Sequence, residues 1–123
     1  MTPAATSLVP MAFVASVPRA VAFYETLGFT VGNTFTPPDA AEPSWAWLES
    51  GAAKLMVARA TAPVIPSQQA VLFYVSCEDI RAMRADLQAA GVHAGPIQFP
   101  FYAAPGEFRL EDPDGYVVMV MQP

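Results

Sequence analysis

The sequence predicts an α+β fold, built from two βαβββ modules, and three observations lead to this prediction. The order of elements in residues 8–60 recurs in residues 70–121, which indicates an internal duplication. The residues between them, TAPVIPSQQ at 61–69, have no helical or strand period and are typical of a linker. A length of 123 residues suits one domain with a substantial core. We therefore expect a single domain, 1–123, with two modules.

The duplication is clearest where each module passes from a strand into a helix. FVASVPRAVAFYETLGF in the first module corresponds to YVSCEDIRAMRADLQAAGV in the second. Val14 then lies opposite Val75, and Gly28 lies opposite Gly91. The alternative is a chance recurrence of this pattern within an undivided α+β domain.

The first module begins after a loose tail, residues 1–7, with a strand that is apolar on both faces. Pro10 predicts that this strand lies at a sheet edge or carries a bulge. Ser16 is placed to cap the following helix, Pro18 is tolerated in the first turn, and Gly28 ends the helix. The predicted elements are a strand Leu8–Val14, a helix Ser16–Gly28, a strand Phe29–Phe35, and a hairpin of Trp45–Glu49 and Lys54–Arg59.

The second module ends in a hairpin whose turn is Asp112–Gly115. Proline presets φ in such a turn, aspartate side chains bond back to nearby amides, and glycine accepts a positive φ. Both faces of the strand after the turn are apolar, which is typical of a strand with a helix layer on one side. The predicted elements are strands Ala70–Val75, Ile97–Phe101, Glu107–Glu111 and Tyr116–Met121, and a helix Glu78–Ala90.

Composition excludes several classes of function. The net charge is −5 and only 6 residues are Lys or Arg, so no basic patch is available to neutralise phosphates, and we expect no nucleic-acid partner. No apolar run reaches the roughly 18 to 20 residues of a membrane span, and the first residues lack the pattern of a signal peptide. We expect a cytoplasmic protein without a membrane partner. One Cys and one His permit neither an internal disulfide nor a site with several His ligands.

With FYETLGF closing the first helix and EDPDGY opening the last strand, the βαβββ repeat resembles the vicinal oxygen chelate superfamily, the fold of glyoxalases, bleomycin-resistance proteins and extradiol dioxygenases. The resemblance covers residues from Leu8 to Met121. It implies that the two sheets curl into an open cup with the helices outside. It also implies that catalytic members carry up to four metal ligands, usually His and Glu, on the strands of the cup.

The resemblance places the four metal-ligand positions on Val9, Met56, Ala70 and Met119. All four side chains are apolar, whereas a hard divalent cation requires oxygen or imidazole ligands. Their neighbours in the sequence supply no such ligand either. We therefore expect no metal and no other cofactor, and we expect no catalytic residue, although the question of catalysis stays open.

Strand alternation predicts a cup wall that is apolar, aromatic and rich in methionine. Methionine adapts to irregular ligands, and a cavity of this kind with a few polar groups is typical of a small-molecule site. Each of these side chains could instead fill a collapsed core or a dimer contact. The candidate ligand-binding residues are Phe13, Trp45, Trp47, Met56, Tyr74, Arg109 and Met119.

Three functions remain open from the sequence. The first is a metal-independent homodimer that binds an aromatic or cationic small molecule such as an antibiotic, as the resemblance to bleomycin-resistance proteins implies. The second is a lyase, isomerase or dioxygenase with an unusual site that uses Glu107, Glu111 or Tyr74. The third is a structural or regulatory module whose cup is filled by its own side chains or by a partner.

Overall fold

The computed structural model describes residues 3–123 and shows an α+β fold with two open mixed sheets. The first two residues of the predicted tail lie outside the described part, and residues 3–7 form no helix or strand. The elements in chain order are β1 Met11–Val14, α1 Val17–Glu25, β2 Thr30–Phe35, β3 Trp45–Ser50, β4 Ala53–Arg59, β5 Leu72–Ser76, α2 Ile80–Ala89, β6 Glu107–Glu111 and β7 Val117–Met121.

Each module forms its own sheet. The strand order is β1-β4-β3-β2 in the first and β5-β7-β6 in the second. The first strand of each module pairs in parallel with the last, while the remaining pairs are antiparallel. This shared topology is what a duplicated module predicts. β1 lies at a sheet edge, which confirms the prediction made from Pro10.

The helices begin where side chains satisfy their free amides. Ser16 Oγ accepts a hydrogen bond from the Arg19 amide at 3.3 Å and caps α1, as predicted. Asp79 Oδ1 accepts one from the Ala82 amide at 3.0 Å and caps α2, so this helix starts slightly later than the predicted Glu78. Within residues 3–123, neither helix is long and apolar enough to cross a membrane.

One face of each sheet and both helices form a single apolar core. Because side chains alternate along a strand, the buried positions are every second residue. From the sheets these are Ala12, Val14, Ala46, Leu48, Leu55, Val57, Phe108, Leu110, Val118 and Val120. The helices contribute Val17, Ala20, Tyr24, Ile80 and Leu87.

The opposite face of each sheet, here called the open face, is only partly covered. On the first sheet it includes the apolar residues Met11, Phe13, Phe35, Trp45, Trp47, Met56 and Ala58 and the polar residues Asn33, Glu49 and Lys54. On the second sheet it consists of Leu72, Tyr74, Glu107, Arg109, Glu111, Val117, Met119 and Met121. The alternation predicted from the sequence is therefore confirmed on both sheets.

The predicted strand Ile97–Phe101 is wrong. In this segment only Gln98 joins the sheet, through a pair of hydrogen bonds with Glu107 of 2.7 and 2.8 Å. Pro96 and Pro100 flank it, and proline has no amide hydrogen to donate to a ladder. The second sheet therefore has three strands where the predicted module has four.

The predicted linker contains a short 3-10 helix, Pro66–Gln68, which the absence of any period did not predict. Pro66 stands at its start, where a fixed φ and a missing amide hydrogen are tolerated.

β2 is exposed along its whole length at the other edge of the first sheet. Its register shifts between Val31 and Asn33, which makes Gly32 a bulge.

The turn Asp112–Gly115 fits closely against the linker, and alanine at Gly115 should therefore destabilise the fold. Gly115 has a φ of +83°, and an added Cβ would stand 2.8 Å from Pro66 Cα and closer still to Pro66 Cβ. We expect Gly115→Ala to lower the free energy of unfolding by about 2 to 4 kcal/mol, as measured by urea denaturation.

Gly51→Ala is the matched control for this substitution. Gly51 also has a positive φ, +56°, but no atom lies within 4 Å of an added Cβ. Gly51→Ala should lower the free energy of unfolding by about 1 kcal/mol, the cost of backbone strain alone. Equal losses at Gly115 and Gly51 would show that the contact with Pro66 contributes nothing.

Candidate functional site

The tryptophans lie together on the open face of the first sheet, as predicted. Trp45 pairs with Ala58 and Trp47 pairs with Met56, so both indoles lie on one side of β3. Trp47 Nε1 donates a hydrogen bond to Glu49 Oε2 at 3.0 Å, and Lys54 Nζ lies 3.2 Å from the same oxygen. These bonds, with that from Trp47 the largest influence, lower the pKa of Glu49. The indole of Trp47 is therefore held in place across the sheet.

Phe13 and Met56 complete the apolar part of this open face. β1 and β4 are neighbours, with Met11 opposite Met56 and Phe13 opposite Ala58. Phe13 is 52% exposed, which is unusual for a large apolar side chain in a strand. Its ring also lines a cavity of about 330 Å³ beside the linker and Tyr116.

On the second sheet the candidates form one row across three strands. Tyr74 pairs with Met119, and Met119 pairs with Arg109. Tyr74 is 51% exposed, Met119 is half-buried, and the Arg109 guanidinium lies 3.3 Å from the Glu111 carboxylate. The ion pair is exposed, and such pairs stabilise a fold only weakly.

Within one chain these residues do not share a single cavity. Arg109 and Met119 line a cavity of about 680 Å³ at β6, which residues 93–98 close on one side. Tyr74 lines a separate cavity of about 850 Å³, between β5 and the start of β4. Four of the seven candidates thus line three separate cavities, while Trp45, Trp47 and Met56 line none of these three. The seven candidates therefore lie on the two open faces without forming one common cavity.

The four metal-ligand positions implied by the resemblance do not suit a metal ion. Val9 and Ala70 precede β1 and β5, while Met56 and Met119 lie in the strands. None offers a carboxylate or an imidazole, the donors that a hard cation requires. Across residues 3–123, no three His, Cys, Asp or Glu side chains are grouped so that they could hold a metal ion.

A cluster of polar groups that the sequence did not predict lies at the end of the second open face. The Tyr102 hydroxyl lies 2.7 and 2.8 Å from the two carboxylate oxygens of Glu107, and 3.4 Å from the Tyr74 hydroxyl. These hydrogen bonds, with that to Glu107 the largest influence, raise the pKa of Tyr102. Tyr102 therefore keeps its proton and is the donor to Glu107. We call Tyr74, Tyr102 and Glu107 the tyrosine–glutamate cluster.

A second polar cluster connects the modules through the turn after β6. Asp112 Oδ2 accepts a hydrogen bond from the buried Tyr24 hydroxyl at 2.8 Å, and Asp112 Oδ1 accepts from the Asp114 and Tyr116 amides, both at 2.9 Å. Asp114 Oδ1 accepts from the Ala15 amide, also at 2.9 Å. Burial raises the pKa of Asp112 despite these bonds. This turn is therefore a structural connection between α1, β1 and the second sheet.

Comparisons with known proteins agree with this architecture. Residues 7–120 match the model of the Glyoxalase/Bleomycin resistance protein/Dioxygenase superfamily. No curated protein sequence matches the chain.

Among solved structures, the chain is similar to a bleomycin-binding protein complexed with bleomycin, with 17% identity, a TM-score of 0.75, and 97% of this chain and 99% of that one covered. It is also similar to TnmS3, an antibiotic-binding protein from Streptomyces sp. CB03234, with 20% identity, a TM-score of 0.76, and 100% and 99% covered. A bleomycin resistance determinant encoded on the transposon Tn5 has 17% identity, a TM-score of 0.75, and 96% and 98% covered. At these identities the solved structures show the fold alone.

Proposed function

Because this chain belongs to the Glyoxalase/Bleomycin resistance protein/Dioxygenase superfamily, we propose that it is a metal-independent protein that binds an aromatic or cationic small molecule, such as an antibiotic, in the cytoplasm. The observation that carries the proposal is the pair of open faces. On these faces the half-buried Met56 and Met119 stand at two of the positions where the catalytic relatives implied by the resemblance carry metal ligands. Beside them, Met11, Phe13, Leu72 and Tyr74 are exposed. Extended exposed apolar surface marks a binding site in soluble proteins.

The proposal includes a homodimer. Phe13, Tyr74 and Met119 line three different cavities of one chain, so no single cavity collects the predicted wall. A second copy that places its open face opposite the first would enclose a ligand between apolar walls. Burial of most of a ligand's surface is the usual condition for tight small-molecule binding.

The chemistry of the wall favours a flat ligand that carries positive charge. Indole and phenol rings bind flat molecules by stacking and attract cations over their faces. The net charge of −5 adds a general attraction for cationic ligands. Bleomycin-type drugs are therefore a rational first panel.

The enzymatic alternative has little support from the geometry. Of the residues that it would use, Glu111 forms an exposed ion pair with Arg109, and both Glu107 and Tyr74 are hydrogen-bonded to the Tyr102 hydroxyl. Within residues 3–123, no three His, Cys, Asp or Glu side chains are grouped to hold a metal ion. The third function, a structural or regulatory module whose cup is filled by its own side chains, is not favoured either. Open cavities of about 680 and 850 Å³ lie at the second sheet.

Thermal denaturation against a panel of bleomycin-type and other aromatic drugs tests the proposal. We expect at least one compound at 100 times its Kd to stabilise the fold by about 2.7 kcal/mol, which raises Tm by several degrees. Light scattering of the same sample should give the mass of a dimer. Elemental analysis should find no stoichiometric Zn, Ni, Fe or Mn. A panel without any stabilising compound, or a stoichiometric metal, would contradict the proposal.

A further inference from the structure

Glu107 combines burial with negative charge in a way that no other open-face residue does. Its side chain lies at the end of β6, opposite Met121, and the residue is only 6% exposed. The other carboxylate of β6 on this face, Glu111, is exposed and forms an ion pair with Arg109. Within residues 3–123, no Lys, Arg or His forms an ion pair with Glu107. Burial of a carboxylate without a cation is costly.

The hydrogen bonds to Glu107 do not use its full capacity. A carboxylate offers about four acceptor positions on its two oxygens. The Tyr102 hydroxyl has one hydrogen, which lies within reach of both oxygens. Most of the acceptor capacity of Glu107 is therefore free for a further donor. An alkylammonium group has three N–H donors and one positive charge, so it supplies the donors and the counter-charge that Glu107 lacks.

Aromatic rings lie next to the tyrosine that contacts this carboxylate. The rings of Tyr74 and Tyr102 lie 6.4 Å apart at 70°, and those of Phe101 and Tyr102 lie 5.4 Å apart at 90°. Phe101 is 98% exposed, so its ring faces are accessible. Aromatic faces at an angle to one another attract organic cations, and the Tyr74 oxygen can accept an N–H hydrogen bond.

The segment that carries Tyr102 is anchored to the sheet. Residues 99–106 leave and rejoin the sheet at the bridged pair of Gln98 and Glu107. Ala103 is 1% exposed, and its amide donates to the Pro100 carbonyl at 3.1 Å. The segment thus holds the Tyr102 ring over the open face, between β5 and β6.

We propose that the tyrosine–glutamate cluster is a subsite for a protonated amine attached to an apolar or aromatic body. Glu107 pairs with the ammonium group, and Tyr74 and Tyr102 surround it. In the free protein the Tyr102 hydroxyl donates to the same two oxygens. An ammonium group can approach through their free acceptor positions, but it competes with this hydroxyl for the negative charge of the carboxylate. This inference rests on the proposed function, because it assigns the charged part of the same ligand.

Two probes of nearly equal shape test the subsite: 2-phenylethylamine, which is protonated at pH 7, and 2-phenylethanol, which is neutral. Titrations followed by NMR chemical shifts give the two Kd values. We expect the wild-type protein to bind the amine at least 10-fold more tightly than the alcohol. Glu107→Gln, which keeps the shape and removes the charge, should reduce this preference to less than 2-fold.

Glu25→Gln is the matched control, because it makes the same substitution and removes the same charge at an exposed position of α1, away from both open faces. It should keep the 10-fold preference. Tyr102→Phe should bind the amine about 3-fold more tightly and the alcohol unchanged, because the competing hydroxyl is gone. It also provides a test if Glu107→Gln does not fold.

Three results would overturn the subsite: no amine preference in the wild type, a preference that survives in Glu107→Gln, or a weaker amine affinity in Tyr102→Phe. The proposed function has a separate outcome. A drug from the panel that carries a protonated amine and binds equally well to the wild type and to Glu107→Gln would keep the binding function and reject the amine subsite. Failure of the whole panel would reject the function itself.

Discussion

Asp112→Ala should lower the free energy of unfolding by about 3 to 5 kcal/mol, the largest effect on stability that we expect from one side chain. The substitution removes three acceptor contacts at once, from the Tyr24 hydroxyl and from the Asp114 and Tyr116 amides. The hydroxyl of Tyr24 is buried and would lose its partner. Urea denaturation followed by circular dichroism measures the loss.

Asp112→Asn is the matched control, because its Oδ1 can still accept from both amides and its Nδ2 can donate to the Tyr24 oxygen. It should cost about 1 kcal/mol at neutral pH. Equal losses of stability in Asp112→Ala and Asp112→Asn would show that these hydrogen bonds are unimportant.

Comparison of Asp112→Asn with the wild type over pH tests the raised pKa of Asp112. Folding favours the protonated form of a group whose pKa is raised in the folded state. Its contribution to stability is therefore greatest below the unfolded pKa, near 3.9, and is lost as the pH rises through the folded pKa. As the pH rises across that range, the free energy of unfolding of Asp112→Asn should increase relative to that of the wild type. A difference in stability between Asp112→Asn and the wild type that does not change with pH would contradict the raised pKa of Asp112.

Met119→Lys should weaken binding of the best drug of the panel by at least about 100-fold, the largest effect on function that we expect. Met119 lies at the centre of the second open face, between Tyr74 and Arg109. A lysine there would place a charge in an apolar contact, beside another cation, and would repel a cationic ligand. A loss of this size corresponds to about 2.7 kcal/mol, which is within the cost of an unpaired polar group at an interface.

Gln88→Lys adds the same charge at an exposed position of α2, away from both open faces. It should leave the affinity within about 2-fold of the wild type. Isothermal titration calorimetry compares the two variants, and light scattering checks that each keeps the mass of the wild type. An affinity of Met119→Lys close to that of Gln88→Lys would remove the second open face from the binding site.

Local patterns predicted much of the fold. Ser16 and Gly28 mark the ends of the first helical segment because capping and positive φ depend on neighbouring residues only. The shared face of Trp45 and Trp47 follows from strand alternation. The wrong strand at Ile97–Phe101 arose because its apolar residues suggested a ladder, whereas Pro96 and Pro100 restrict it to a single bridge.

The polar clusters could not be predicted because they join distant parts of the chain. Asp112 was predicted to bond to nearby amides, which is confirmed, but its contact with Tyr24 spans 88 residues. Strand alternation puts Glu107 on the same face as Arg109 and Glu111, but the burial of Glu107 depends on a segment that returns over the sheet. The positions of Tyr102 and Phe101 follow from tertiary packing, which alternation does not encode.

The bulge at Gly32 has a consequence for how copies of this protein meet at high concentration. Exposed edge strands recruit further strands and lead to fibrillar aggregates, and β2 is an exposed edge along its whole length. The shifted register between Val31 and Asn33 interrupts the regular spacing of free amides and carbonyls that such growth needs. Edge-to-edge polymerisation through β2 is thereby discouraged, which leaves the apolar open faces as the surfaces for the proposed dimer.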